Sequence, residues 1–298
     1  MTIEQQLANS YDIHDATCKN LNTPANDSYE VTTASAKYAL KLYNDASRTP
    51  QDVAWELELI NHLVEQGVPV AKPVDTPNGQ LHNFEVDGKI RPAVLSEWAA
   101  GQKPKAGQET YVLLGRTAAL IHQAADSFSS SLPREDYSDT LLIDEQFKRM
   151  RKSLEQVDRW QEAYLLGERL KDRIASPLLD YGVCHMDLTL NNIHVDGSAL
   201  SVFDFDSAGT CWRAYEPYGV LLASEERLSW WLKGYREIRV FSPADEKAVW
   251  AFAIIGDIRN TTWKLGLANS SRVEPLLTLS GLAAVVDGWL RWEKLYLD

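Results

Sequence analysis

The chain begins with strand-like periods and continues with helical ones. Residues 29 to 43, YEVTTASAKYALKLY, alternate and are rich in Tyr, Val and Thr. That pattern predicts two strands joined by a short polar turn at Thr33 to Ser35. From 52 to 67, DVAWELELINHLVEQG carries apolar residues at Val53, Leu57, Ile60, Leu63 and Val64. The spacing predicts a helix, with Gly67 as its stop. The stretch from 68 to 98 is punctuated by proline and by the turn signals PNG and VDG, and predicts short strands. The first hundred residues therefore read strand, strand, helix, strand, strand. Beyond about residue 100 the pattern is mostly helical: 111–126, YVLLGRTAALIHQAAD, then one or two charged helices over 144–175. Residues 183–206 interrupt it with a polar loop, a DG turn and LSVFDFD, which predict a loop followed by a small hairpin. Helices resume over 216–298, with tryptophans at 230, 231, 250, 263, 289 and 292 read as core fillers.

Composition narrows the class. With 298 residues and 45% apolar content, the chain is long enough for one large or two medium folded units. The net charge of -12 comes without any basic stripe, which argues against a nucleic-acid partner. The excess acid suits a cationic ligand or serves solubility alone. Cys18, Cys184 and Cys211 are odd in number and lack CxxC spacing, which argues against a disulfide framework or a zinc site and for a reducing cytoplasm. The start, MTIEQQLANSYDIHD, lacks the basic and apolar regions of a signal peptide. The longest apolar stretch, AVWAFAII at 248–255, is too short to span a bilayer, so no membrane partner is expected.

One string carries chemistry. HMDLTLNN, 185–192, sets Asp187 two places after His185 and five before Asn192, and VFDFDSAG follows with Asp204 twelve residues beyond Asn192. Kinases use the order H-x-D-x-x-x-x-N and then D-F-x. Phosphoryl transfer needs an acceptor hydroxyl held in line and cations held against phosphates. One carboxylate orients the hydroxyl and takes its proton, while an amide oxygen and a second carboxylate hold magnesium.

On these residues the chain resembles the aminoglycoside phosphotransferase and choline kinase-like family, relatives of protein kinases, whose loop is usually written HGDLHxxN before an IDFD segment. The resemblance implies an α+β, protein kinase-like bilobal fold. Residues 1–97 would form a small nucleotide-binding lobe of antiparallel sheet plus one helix. Residues 98–298 would form a larger, mainly helical lobe with the catalytic loop and acceptor site. It implies Asp187 as catalytic base, Asn192 and Asp204 as magnesium ligands, and His185 as the brace of the loop. Lys41, in YALKLY, would grip the ATP phosphates and Glu56 would fix it. The rival Glu58 points off that face by about 200°. Ser96, Glu97 and Trp98, in AVLSEWAAG, would read the adenine through their backbone. The glycine-rich loop of protein kinases has no counterpart in LNTPANDSYEV, 21–31, where Asn26, Asp27 and Ser28 would face phosphate instead.

Two departures stand out: Met186 replaces a glycine and Thr189 a histidine, with Leu190 and Asn191 also atypical. Asp206 either assists the metal or caps the following turn, and His122 and His194 read as structural. The function implied is an ATP- and Mg-dependent kinase for a hydroxyl of a small molecule, such as an antibiotic, an amino alcohol or a sugar. A protein or peptide kinase and a nucleotide-binding pseudokinase are the alternatives. For a cationic acceptor, Glu216, Glu225, Glu226 and Asp257 would supply charge, and Trp230, Trp231, Tyr235 and Trp263 stacking surfaces.

Overall fold

The computed structural model describes residues 1–23, 26–44, 48–268 and 275–297. Pro24 and Ala25, within the segment expected over the phosphates, and 269–274, within the expected helical region, lie outside these. One antiparallel sheet holds β1 (Thr17–Asn20), β2 (Asp27–Thr32), β3 (Lys37–Leu42), β4 (Leu81–Val86) and β5 (Lys89–Glu97), in the order β1-β2-β3-β5-β4. The predicted turn between β2 and β3 closes where Thr33 N donates to Ala36 O at 2.9 Å. Period-two alternation then sorts the sheet's faces. Leu40 and Leu42 pack on one side with Val31, Phe84, Ala93 and Leu95, beneath Leu7 and Tyr11 of helix α1 (Ile3–Tyr11). Lys41, between them in sequence, lies on the other side. There α2 (Pro50–Glu65) sets Val53 and Leu57 against Tyr43 and Val94.

Helix α1 and strand β1 were not expected from the hydrophobic period. Helix α1 starts on a capping box, Thr2 with Gln5, a signature that was readable. Strand β1, TCKN, has no apolar alternation; it pairs with β2, and Cys18 packs against the core beneath α1.

The helical part comprises α3 (Gln108–Ala125), α4 (Glu145–Gln156), α5 (Trp160–Ile174), α6 (Tyr218–Ala223), α7 (Glu225–Tyr235), α8 (Pro243–Lys264) and α9 (Leu279–Tyr296). In α8, Ala248, Val249 and Ala251 to Ile255 are all buried, so this apolar run is the central strut of the core. No helix among the described residues is long and apolar enough to cross a membrane. All three cysteines are free thiols.

Two short ladders interrupt the helices: β6 (Tyr181–Cys184) with β9 (Gly209–Trp212), and the hairpin β7 (Ile193–Asp196) and β8 (Ala199–Val202). The hairpin bonds to the chain entering and leaving β4 and β5. Val202 N donates to Pro69 O at 2.9 Å, Ala71 N to Val202 O at 2.8 Å, and Gln102 pairs with Val195. This fastens the end of β8, and Asp204 just beyond it, beneath the sheet.

Helices α3 and α7 approach backbone to backbone. A Cβ on Gly115 would sit 1.9 Å from Trp231 O, and one on Gly234 would sit 1.9 Å from Val112 O. Alanine ordinarily favours a helix over glycine by about 1 kcal/mol. Here overlap with rigid backbone reverses the sign: Gly115→Ala and Gly234→Ala should each destabilise by roughly 2–3 kcal/mol. Gly288→Ala in α9, where nothing lies within 4 Å, should instead stabilise by up to about 1 kcal/mol. Urea unfolding of the three variants checks the opposition of signs.

Candidate active site

The side chain of Lys41 reaches from β3 to the end of the hairpin. Its Nζ lies 2.6 Å from Asp204 Oδ1, 3.5 Å from Asp206 Oδ2 and 3.7 Å from Glu56 Oε1. It also lies 4.6 Å from the centre of the Tyr43 ring. Burial pulls the ammonium down, but the three carboxylates outweigh it and hold Lys41 well above its ordinary value. Glu56 is pushed up, chiefly by burial, and its Oε2 is buried without a hydrogen-bond partner. The lysine leans on Asp204 more closely than on Glu56.

Around this cluster the other sheet positions fall as follows. Asn26 donates from Nδ2 to Asp206 Oδ2 at 2.7 Å, and its Oδ1 accepts from Asn44 N at 3.0 Å. Asp27 pairs with Arg91. Ser28 stands opposite Lys41 in the β2–β3 register, and its hydroxyl accepts from Thr23 at 3.1 Å. Ser96 pairs with Ala39 of β3. Glu97 N donates to Lys72 O at 2.8 Å, and Trp98 N to Lys37 O at a longer 3.3 Å. The Trp98 ring sits under Lys37 Nζ, 5.2 Å away, and beside His194.

The catalytic-loop string is pinned by its backbone. His185 has a neutral tautomer consistent with both contacts: Nε2 to Phe203 O at 3.1 Å, and Nδ1 accepting from Asp187 N at 3.3 Å. Glu216 accepts from His185 N at 2.8 Å and Met186 N at 3.1 Å. His122 Nε2 lies 3.3 Å from Glu216, and its Nδ1 lies 2.8 Å from Tyr235 OH. Burial lowers His122, and an imidazole donating from Nε2 and accepting at Nδ1 satisfies both neighbours. Burial would raise Glu216, but the hydrogen bond from His122 leads the contacts that hold it below its ordinary value. His122, Glu216 and Cys184 lie within reach of one ion, yet both Glu216 oxygens already accept loop amides.

Met186 has φ 67, the left-handed region that explains a glycine at this place in the family pattern. Its side chain is buried in the helical core, away from the loop's mouth. The positive φ costs backbone strain, held by Glu216, which accepts from the Met186 amide.

Asp187 and Asn192 come together: Asn192 Nδ2 donates to Asp187 Oδ2 at 2.8 Å and to Asp187 O at 2.9 Å. Burial pushes the Asp187 carboxyl up to about 6, with the charge of Asp204 adding to it. His185, then the Asn192 hydrogen bond, and last the charge of Arg259 work the other way.

Several contributors had no sequence signal. Arg134 donates to the carbonyls of Ala208 at 2.6 Å and Asp52 at 3.1 Å, and to Asp206, tying α2 to the segment after the hairpin. Arg259 approaches the loop from α8, 3.4 Å from Met186 O. Of the expected acceptor groups, Glu216, Trp231 and Tyr235 are core residues. Glu225 accepts from Tyr296 at 2.7 Å, and Asp257 accepts from Trp289 Nε1 at 2.8 Å.

A divalent cation fits the donor set. The Asn192 amide nitrogen faces Asp187, which leaves its oxygen for a cation. Asp204, with a side chain 41% exposed, keeps a second oxygen beyond the one on Lys41. All these donors are oxygens, the type that hard cations such as magnesium and calcium select.

The chain matches the model of the phosphotransferase enzyme family over residues 24–243. It is 29% identical over 241 residues to amicoumacin kinase of Bacillus subtilis, covering 72% of this chain and 70% of that one. An uncharacterized protein of Deinococcus radiodurans is 30% identical over 196 residues, covering 64% of this chain; the match spans only 57% of that relative's length. In fold the chain is similar to a solved amicoumacin kinase, hAmiN, in complex with AMP-PNP, Ca2+ and Ami. The TM-score is 0.75 at 21% identity, over 97% of this chain and 92% of that one. The family match covers most of the chain and includes the lysine strand, the loop and the Asp204 segment: this protein belongs to the phosphotransferase enzyme family.

Proposed function

We propose that this protein is a kinase that transfers a phosphoryl group from ATP, with magnesium, to a hydroxyl of a small molecule. The observation that carries the reading is the meeting of Lys41 and Asp204 at 2.6 Å beside a loop in which Asn192 orients Asp187 at 2.8 Å. Groups from the sheet, the hairpin and the loop converge there with the chemistry phosphoryl transfer requires.

The nucleotide lies between sheet and helices, with 1–97 and 98–298 as its two walls. Its adenine meets the backbone of Ser96, Glu97 and Trp98, replacing the long Trp98–Lys37 bond. Lys41 moves from Asp204 to the phosphates and stays oriented by Glu56. Ser28, in β2 and opposite Lys41 in register, is the one of these three residues left to approach phosphate, since Asn26 and Asp27 are committed to Asp206 and Arg91. Asn192 and Asp204 hold magnesium, which neutralises charge on the transferred group. Asp187 orients the acceptor hydroxyl and takes its proton; a carboxyl raised to about 6 is a better base than an ordinary aspartate and is still ionised at neutral pH.

Asp187→Asn should lower turnover by roughly 10²–10⁴-fold and leave nucleotide affinity nearly unchanged. A coupled ADP-release assay across hydroxylated acceptors, with a nucleotide titration, checks both; a fully active variant would exclude the assignment. Asn192→Ala should instead raise the magnesium concentration needed for half-maximal rate, read from the same assay. Stability should move in the opposite sense to activity. A carboxyl raised in the folded state favours folding only while protonated, so its contribution is lost as pH rises through about 6. The nucleotide-free Asp187→Asn protein should therefore gain on wild type between pH 4.5 and 7.5, by roughly 1–3 kcal/mol, in urea unfolding at the two pH values.

A further inference from the structure

Arg259 is a charged side chain beside the reaction centre that the mechanism above does not use. Its guanidinium is half-buried in α8, with Cζ 5.1 Å from the centre of the Tyr137 ring and Nη1 3.5 Å from the Tyr215 hydroxyl. Nη1 also lies 3.4 Å from the carbonyl of Met186, the residue before Asp187. The charge is close enough to Asp187 to oppose the rise of its carboxyl.

The arrangement leaves most of the guanidinium unspent. Arginine offers five N–H donors, and the edge formed by Nε and Nη2 matches a carboxylate with two parallel hydrogen bonds. Both hydrogen bonds of Arg259 use Nη1. Nε and Nη2 have no acceptor among the described residues and are not among the fully buried polar atoms, so each keeps some exposure. Arg259 also forms no ion pair among the described residues. Arg116, Arg236 and Arg239, by contrast, are matched with Glu237, Glu246 and Asp126. A partly buried cation without a counter-charge is costly, and one held against two tyrosines is costly to move. The hydroxyl of Tyr218, whose environment also includes Asp187, Arg259 and Asp257, likewise has no partner among the described residues.

We infer that Arg259 receives the carboxylate of the acceptor, so that the alcohol phosphorylated at Asp187 is a compact hydroxy acid, amino-substituted or not. This rests on the phosphotransfer reading above. Because Arg259 already contacts the residue before Asp187, the hydroxyl and the carboxylate must belong to one small molecule. The other source of an anion is the terminal phosphate of the nucleotide, and the experiment separates the two.

Matched acceptors that differ only in the carboxylate make the test: serine against ethanolamine, and homoserine against 3-amino-1-propanol. With the full chain and Mg-ATP, kcat/KM from ADP release should be at least roughly 30-fold higher for the carboxylated member of at least one pair. Arg259→Gln should bring that ratio to within about threefold, mainly through the KM of the carboxylated acceptor, and Arg259→Lys should fall between. Thermal shifts with a non-hydrolysable ATP analogue, which need no turnover, should show the same preference in wild type. Equal or better use of both carboxylate-free partners overturns the inference. So does an Arg259→Gln protein that loses both members of a pair equally with a raised KM for ATP, which would assign the arginine to the nucleotide phosphate. Absence of both shift and turnover with every carboxylated acceptor overturns it too. Carboxylate-dependent shifts without any ADP release would uphold the anion site and reject the phosphotransfer reading instead.

Discussion

One ammonium group shared by three carboxylates organises the seam of this molecule. Lys41 comes from the sheet, Glu56 from α2, and Asp204 and Asp206 from the segment after the β7–β8 hairpin. Removing such charges from water is unfavourable unless they are paired, so the cluster forces sheet, helix and hairpin into one arrangement. Arg48 and Arg134 add positive charge beside Asp206. In the proposed reading, a metal-bound nucleotide would bring a cation for Asp204 and phosphates for Lys41, and in a chain of net charge -12 the polyphosphate would arrive with its counter-ions.

The catalytic loop obeys a second constraint: its backbone, more than its side chains, is what the core grips. Glu216 takes two successive amides, Phe203 O faces His185, and Arg259 contacts the carbonyl before Asp187. With its amide and carbonyl both engaged, Met186 stays in a conformation that a glycine would adopt without strain. The burial of Asp187 raises its carboxyl, so stability is given up at the residue proposed as the base.

Much of the candidate site was legible because the residues proposed for phosphoryl transfer are of particular types in a particular order. His185, Asp187, Asn192 and Asp204 lie within twenty residues, and a loop followed by a tight hairpin leaves few ways to arrange them. Lys41 was legible from alternation, since a lysine between Leu40 and Leu42 must face away from their core. Helix α1 escaped because its apolar positions are few, and β1 because its four residues owe their strand state to a partner. Arg134 and Arg259 escaped for a different reason: each lies more than fifty residues from the loop, and an isolated arginine in a helix or connection has no local pattern.

The sequence by itself determined the element types through hydrophobic period, the turns through Gly, Pro and Asn, and the loop chemistry through spacing. These are short-range properties, governed by backbone geometry within a few residues. Only the tertiary structure decided which acids were free to act. Glu216 is spent inside holding the loop, while Asp204 stays at the seam. Likewise Trp231 and Tyr235 became core and Arg259 kept an open edge beside Asp187. Burial, and the presence or absence of a counter-charge, depend on segments distant in sequence, and no local pattern encodes them.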